Sequence, residues 1–434
     1  MSDPSPSSRF ARLRATVATR STADVGWVLS SNLIGLVGNA ISVALVATRI
    51  GAGSFGEYAA AYAMAGLLSG FVIQGQLLAY LDYAIRIGEP PERVAGSTIG
   101  SFLILGGGCV LVACGVVTGL LGAAPLLIVL PIALSELVFN PISMLCANVL
   151  QSERGFLSAT KLRWFHQVFR VMATVVFWVT GAQTLGALTM LILLFAVLST
   201  IVSIVVLAHV GYTLVPLSPR ARYLRTSGAL SAGIVTAVVH DEGDKLVLAR
   251  SRPGEELGQY AFAYRLLGVA LVPLTSMLSV AYNRILSLNG KKNDLRRVTV
   301  KFLSVSSGYG LLVGIGAFLV QPILTAMLPA DFDPAAKMFA VLAWVVLARG
   351  FAGYMATFVI ASGRQATQAV INVIVCVIGF VMYITLIPTY GWAGAAAGTL
   401  VGEVLGAGIT SVVAWRIMSG DDEAEPVPVG AVHQ

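Results

Sequence analysis

A chain of 434 residues that is 57% apolar and only 11% charged, with a mean hydropathy of +0.84, lies far from the quarter of charged residues usual in soluble domains. Its net charge of +7 does not point to nucleic acid, because the basic residues gather in short segments between apolar runs, which is the pattern of membrane topology. Cys109, Cys114, Cys146 and Cys376 all fall inside apolar runs without metal-ligand spacing, so no disulfide framework, metal site or cofactor is expected.

In chain order, residues 1–24 form a Ser- and Arg-rich polar arm that precedes twelve charge-poor runs, each long enough for the roughly 20 residues that a crossing needs. The first six, at 25–48, 57–82, 96–120, 125–149, 164–181 and 185–208, make an N-lobe over 25–209. A basic linker, 210–225, leads to the second six at 226–249, 258–282, 299–320, 336–360, 367–387 and 392–415, a C-lobe over 226–417. The acidic, Pro-containing tail 418–434 lacks the apolar content to fold and reads as a disordered cytoplasmic end. Twenty of the 28 Lys and Arg residues fall on one side of this topology, in the arm, the linker, the loop from Arg284 to Lys301 and the other even-numbered connections. The positive-inside rule then places both termini in the cytoplasm of a cell whose membrane the chain crosses many times. Trp27, Trp164, Trp178, Trp392 and Trp415 lie near span ends, as an interfacial aromatic belt requires.

Span 7 breaks the pattern. His240, Asp241, Glu242, Asp244 and Lys245 occur within six residues of it, and each charge at the centre of a lipid-facing helix costs about 2.5 to 3.5 kcal/mol on insertion scales. At helical spacing His240 and Asp244 share one face and Asp241 and Lys245 another. The group either sits at the outer end of the helix in water and headgroups, or forms a titratable wall of a transport cavity that couples to an ion.

The two halves repeat. Gly56-Glu57-Tyr58-Ala59-Ala60-Ala61-Tyr62 recurs as Gly258-Gln259-Tyr260-Ala261-Phe262-Ala263-Tyr264, 202 residues on, and the ungapped match to Tyr80 and Tyr282 gives 8 identities in 25 positions. Gln151-Ser152-Glu153-Arg154 after span 4 parallels Ala361-Ser362-Gly363-Arg364 after span 10, and the turn before Gly186 parallels the one before Trp392. Six crossings return the chain to its starting side, so the halves share an orientation and are related by an axis along the membrane normal.

With Gly53-Ser54-Phe55-Gly56-Glu57-Tyr58 opening span 2, Leu257-Gly258-Gln259-Tyr260-Ala261-Phe262-Ala263-Tyr264-Arg265 opening span 8 and Tyr390-Gly391-Trp392-Ala393-Gly394-Ala395-Ala396 opening span 12, the chain resembles the multidrug, oligosaccharidyl-lipid and polysaccharide (MOP) exporter superfamily over nearly its whole length. Within it, the resemblance is to the polysaccharide transporter or Wzx-like flippase branch. That resemblance implies an all-α polytopic fold of two six-helix lobes in a V, as in multidrug (MATE) exporters, whose cleft opens alternately to the two sides. It implies a polyprenyl-diphosphate-linked glycan as substrate, drive from an H+ or Na+ gradient, no enzymatic step, and work beside polysaccharide polymerase or glycosyltransferase machinery in the lipid membrane. Multidrug relatives often carry an acidic residue and a proline in the first span, where this chain has Asn32 and Asn39, and a lipid II exporter would have more than twelve spans. A cation-coupled multidrug antiporter of the same fold is the alternative function. A membrane-embedded polymerase or ligase is a third, disfavoured because the longest outer loop is only about a dozen residues, too short to hold an acceptor sugar.

A diphosphate crossing a bilayer needs compensating charge, which Arg supplies through permanent charge and planar donors. Intramembrane Arg265, Arg170 with His166 one turn before it, and Arg349 are therefore the candidate substrate ligands, and Arg265 is expected to pair alternately with Asp244 and with substrate phosphate. Arg349 reads equally as a structural pair with Glu136 or Glu403, and His166 with Arg170 as a basic face reaching the cytoplasmic interface. Asn32, Asn39, Gln74 and Gln76 offer hydrogen bonds to sugars, or join helices.

Overall fold

The computed structural model describes residues 6–212, 214–215, 217–252, 254–286 and 292–419, with side chains of the first helix described from Ile34 onward. Every described element is helical. Residues 6–50 form α1, and Gly51, at φ 74° and ψ 168°, breaks the helix so that 52–87 can run back as α2. Only glycine takes that backbone conformation without strain. The remaining helices are α3 (Pro91–Leu120), α4 (Leu126–Arg154), α5 (Phe156–Val179), α6 (Leu185–His209), α7 (Ala221–Ser251), α8 (Gly254–Leu286), α9 (Lys292–Met327), α10 (Ala330–Ala361), α11 (Gln365–Tyr390) and α12 (Trp392–Ser419).

Among the described residues nine helical stretches are long and apolar enough to cross a membrane, and one of them, Ile34–Ala84, contains the Gly51 reversal and so supplies two crossings. α5 and α7 complete the twelve. Polar residues interrupt both, Arg163, His166 and Arg170 in α5 and the cluster His240 to Lys245 in α7. The two helices least suited to lipid are thus the two in which charged and titratable groups cluster.

Several helices extend past the apolar runs, because water-facing turns continue the backbone hydrogen bonding. α5 begins at Phe156 rather than 164, and α7 at Ala221, inside the segment read as a linker. Tyr223 in that first turn of α7 is buried in the N-lobe, its ring 5.5 Å from Tyr83 and its hydroxyl 2.6 Å from Thr98 Oγ1. Residues 1–5 of the arm and 420–434 of the tail lie outside the described residues.

Glycines set the packing between the halves. A methyl group at Gly56 would overlap the Gly254 carbonyl, and one at Gly258 would overlap the Ala52 carbonyl. Positions 52 and 254, like 56 and 258, are related by the 202-residue offset. The crossing of α2 and α8 is therefore two-fold by its own contacts, position 56 of each half lying on position 52 of the other. Phe55, Phe262 and Phe332 pack around it with ring centroids 5.1–6.3 Å apart and are 5% exposed or less.

That crossing lies at the end the loop charges assign to the outside, and there one apolar core is shared by both lobes. At the opposite end the core divides in two. One part is built on α2, α3 and α4 around Tyr80, Phe102 and Leu145, the other on α8, α10 and α12 around Ala281, Phe358 and Ala414. The lobes are sealed together at the end that holds the Gly51 turn and packed separately at the other.

The topology is open to direct measurement. Reporter fusions after Arg20, Arg225 and Gly420 are each expected to read cytoplasm, and an extracytoplasmic signal at any one of them overturns the assignment of sides.

Candidate functional site

The N-lobe encloses a cavity of about 570 Å³ between α1, α2, α4, α5 and α6, closed on one side by Arg265 of α8. α4 is shaped to reach it. Pro131 has no N–H to give the Leu127 carbonyl, which instead accepts from Thr189 of α6 at 3.5 Å, and the helix then widens into a π-turn over Ser135–Phe139. This turn carries Glu136 into the cavity, where its Oε1 accepts from Arg170 Nη2 at 3.1 Å. From α5, Arg163, Gln167, Arg170 and Thr174 present one polar stripe at helical spacing. Arg163 is held by Asn148 Oδ1 at 3.0 Å and Gln151 Oε1 at 2.7 Å, and His166 Nδ1 lies 3.0 Å from Ser199 Oγ. Asn39, Asn140 and Asn148 add amides, and Tyr58 and Tyr62 add rings, the latter 6.0 Å from the Arg265 guanidinium carbon. Three guanidinium groups thus face one carboxylate.

A second cavity, of about 300 Å³, lies between the lobes and shares Asn39 and Arg265 with the first. Its C-lobe wall is the charged turn of α7. Arg349 of α10 donates from Nε to Glu403 Oε1 at 2.6 Å and from Nη2 to Asp241 Oδ1. Lys245 Nζ lies 3.1 Å from Glu242 Oε2, 3.6 Å from Asp244 Oδ1 and 3.7 Å from the centre of the Tyr264 ring, and it also donates to the Asp241 carbonyl. Asp244, fully buried, accepts from the Tyr260 hydroxyl at 2.6 Å. His240 fits into a groove that Gly379 and Gly402 leave open between α11 and α12, with Nε2 3.5 Å from Glu403 Oε1. The balance here is reversed, with four carboxylates to two fixed cations.

Among the residues singled out from sequence, the fold brings Arg170, His166, Arg265 and Asn39 to the N-lobe cavity and the α7 cluster with Arg349 to the C-lobe wall. It does not bring Arg265 to Asp244. Asp244 is enclosed by Tyr260 and Lys245, Asp241 is held by Arg349, and Arg265 makes no ion pair among the described residues. Of the partners open to Arg349, the structure uses Glu403 and adds Asp241, while Glu136 binds Arg170. Gln74 lies on an exposed face of α2 and lines neither cavity, and Gln76 is buried in the N-lobe core, where its backbone carbonyl accepts from the Tyr223 hydroxyl, just beyond the π-turn Gly70–Gln74. The side chain of Asn32 lies outside those described.

Sequence reasoning missed Arg163, Gln167, Asn140 and Asn148. A hydropathy window starts the span after Arg163, whereas the recurrence 163, 167, 170, 174 is the signal that would have placed it on the cavity face of α5.

No protein-family model matches the sequence, and no curated protein matches it. Solved structures do match in fold. A multidrug resistance MATE family transporter of the MOP superfamily in its inward-facing conformation superposes with a TM-score of 0.71 at 14% identity, covering 89% of this chain and 95% of that one. The lipid II flippase MurJ in an inward closed conformation gives 0.71 at 15% identity, covering 89% and 87%. An outward-facing MATE transporter gives 0.59 at 13% identity, covering 92% and 96%. The chain is an all-α, multi-pass membrane protein with the fold of the MOP superfamily transporters.

Proposed function

We propose that the chain is a flippase that carries a polyprenyl-diphosphate-linked oligosaccharide outward across the cytoplasmic membrane by alternating access, for the building of a cell-surface polysaccharide. The observation that carries this reading is the charge of the N-lobe cavity, where Arg163, Arg170 and Arg265 meet Glu136 alone. Two negatively charged phosphates would neutralise that excess, and the Arg forks match phosphate oxygens in a bidentate way. The amides of Asn39, Asn140, Asn148 and Gln167 around them suit sugar hydroxyls. A cationic drug, the cargo of a multidrug antiporter, would be repelled by the same groups. The buried charges of α7 with Arg349 and Glu403 are the coupling unit, answering to an H+ or Na+ gradient, and a glycan polymerase or glycosyltransferases at either face would supply or consume the cargo.

The test is transfer of a fluorescent polyprenyl-diphosphate sugar in proteoliposomes, read by quenching of the outer leaflet. Arg265→Ala is expected to lower the initial rate at least tenfold, about 1.4 kcal/mol or more, at unchanged protein recovery. Arg265→Lys keeps charge but not the fork, and is expected to fall between. Native-rate transfer by Arg265→Ala, or efflux of cationic dyes with no transfer of the glycolipid, overturns the assignment.

A further inference from the structure

Lys245 is the most enclosed cation of the C-lobe wall, 6% exposed and within the last two turns of α7 (Ala221–Ser251). An ammonium has three protons to donate, and three oxygens surround this one: the Asp241 carbonyl, Glu242 Oε2 at 3.1 Å and Asp244 Oδ1 at 3.6 Å. The Tyr264 ring covers the remaining side at 3.7 Å. Two carboxylates and a helix carbonyl on one side, with an aromatic face on the other, present the hard oxygen ligands that an alkali cation takes.

We propose that Lys245 is a tethered cation seated in a sodium-type oxygen site, so that the C-lobe works without Na+ and loss of the Lys side chain opens a Na+ site in its place. The inference rests on the reading of the α7 cluster as the coupling unit, and it narrows that reading from either ion to a sodium-independent cycle.

Charge balance requires an occupant. Asp241 and Glu403 are claimed by Arg349, but among the described residues Glu242 and Asp244 are ion-paired with Lys245 alone, and Asp244 is fully buried. Removing the ammonium leaves an uncompensated buried carboxylate, a strongly unfavourable state unless another cation enters. Entry is open, because Asp241, Glu242 and Lys245 all line the 300 Å³ inter-lobe cavity. Among the described residues, the neighbouring turn carries another titratable group without a hydrogen-bond partner. His240, 8% exposed, has neither ring nitrogen hydrogen-bonded among the described residues while Nε2 faces Glu403 across 3.5 Å.

The experiment reads binding rather than transport, so its failure is separable from failure of the flippase assignment. Thermal unfolding of the purified full chain in detergent is measured in NaCl and in choline chloride at equal ionic strength, for the native chain and for Lys245→Ala and Lys245→Ser. The native chain is expected to melt at the same temperature in both salts. Either variant is expected to melt about 5 °C higher in NaCl, as ligand linkage gives for a site well above its dissociation constant. KCl serves as the size control, with a smaller shift. A native chain stabilised by Na+ overturns the proposal, as does a folded variant indifferent to Na+. Variants that fold in neither salt overturn it as well, because a fitting alkali cation would have restored the charge balance.

Discussion

Arg349→Ala is expected to be the most destabilising single substitution in the C-lobe, costing about 2–4 kcal/mol of folded stability. The guanidinium bridges two carboxylates on different helices, Asp241 of α7 and Glu403 of α12, and its truncation leaves both without their main compensating charge. A fully buried pair broken from one side loses about 3–5 kcal/mol, and the figure is lowered here because the Asp241 side chain is 39% exposed and remains reachable by water. Glu403 is 13% exposed and bears more of the loss. The variant should melt at least 5 °C lower than the native chain in detergent, with the deficit partly restored when Glu403→Gln is added, because an amide tolerates burial without a counter-charge. Glu403→Gln alone should cost less than Arg349→Ala, since Arg349 then keeps Asp241. Equal melting of Arg349→Ala and the native chain would show that the bridge carries no stability. A double variant no better than the single would show that the loss lies in packing of the Arg stem rather than in the stranded carboxylate.

The architecture was legible because it is written in features that survive without side-chain detail. Run length gave the twelve crossings, and the recurrence of Gly56 and Tyr58 as Gly258 and Tyr260 gave the two halves, since a glycine needed at a close crossing must be present in both partners. The charged turn of α7 was legible for the opposite reason, as a cost that lipid does not tolerate. Which cation meets which carboxylate was not. Arg265 and Arg349 are both intramembrane arginines, and choosing between them as the partner of Asp241 depends on the rotation of α8 and α10 about their axes, which periodicity fixes only to within a face. Arg163 shows the complementary limit. A window of apolar residues ends where the first charge appears, while the helix, whose hydrogen bonds are indifferent to side-chain charge, continues to Phe156 and turns that charge into the cavity. For Gln74 and Gln76 residue type left sugar contact and helix joining both open; the fold puts the first on an exposed face and the second in the N-lobe core, beyond a π-turn that periodicity does not reveal.

The largest effect on the transport cycle is expected from Gly56→Val and Gly258→Val. α2 and α8 touch backbone to backbone at the end that the loop charges assign to the outside, and a side chain at either glycine would overlap a carbonyl of the opposite half. Backbone cannot rotate away as a flexible side chain does, so the helices must separate, at about 1–3 kcal/mol for overpacking of this kind. The cost falls only on the state in which the outer ends are in contact. It therefore shifts the balance toward the outward-open state by about 5- to 150-fold, while leaving the packing of each lobe intact. Two readouts follow. In a background lacking the native cysteines, Ala261→Cys, on the inter-lobe cavity behind the crossing, should react slowly with a membrane-impermeant maleimide added outside. With Gly56→Val or Gly258→Val its labelling rate should rise about tenfold or more, and glycolipid transfer should fall by a similar factor. The two-fold relation of the crossing demands that both substitutions act in the same direction, since each strikes position 52 or its equivalent, 254, in the other half. Gly53→Ala is the control, lying in the same stretch with open space where its methyl would go. Unchanged labelling in both Val variants with native transfer would mean that the outer seal is made elsewhere, and a rise in one without the other would break the two-fold relation on which the mechanism of closure is built.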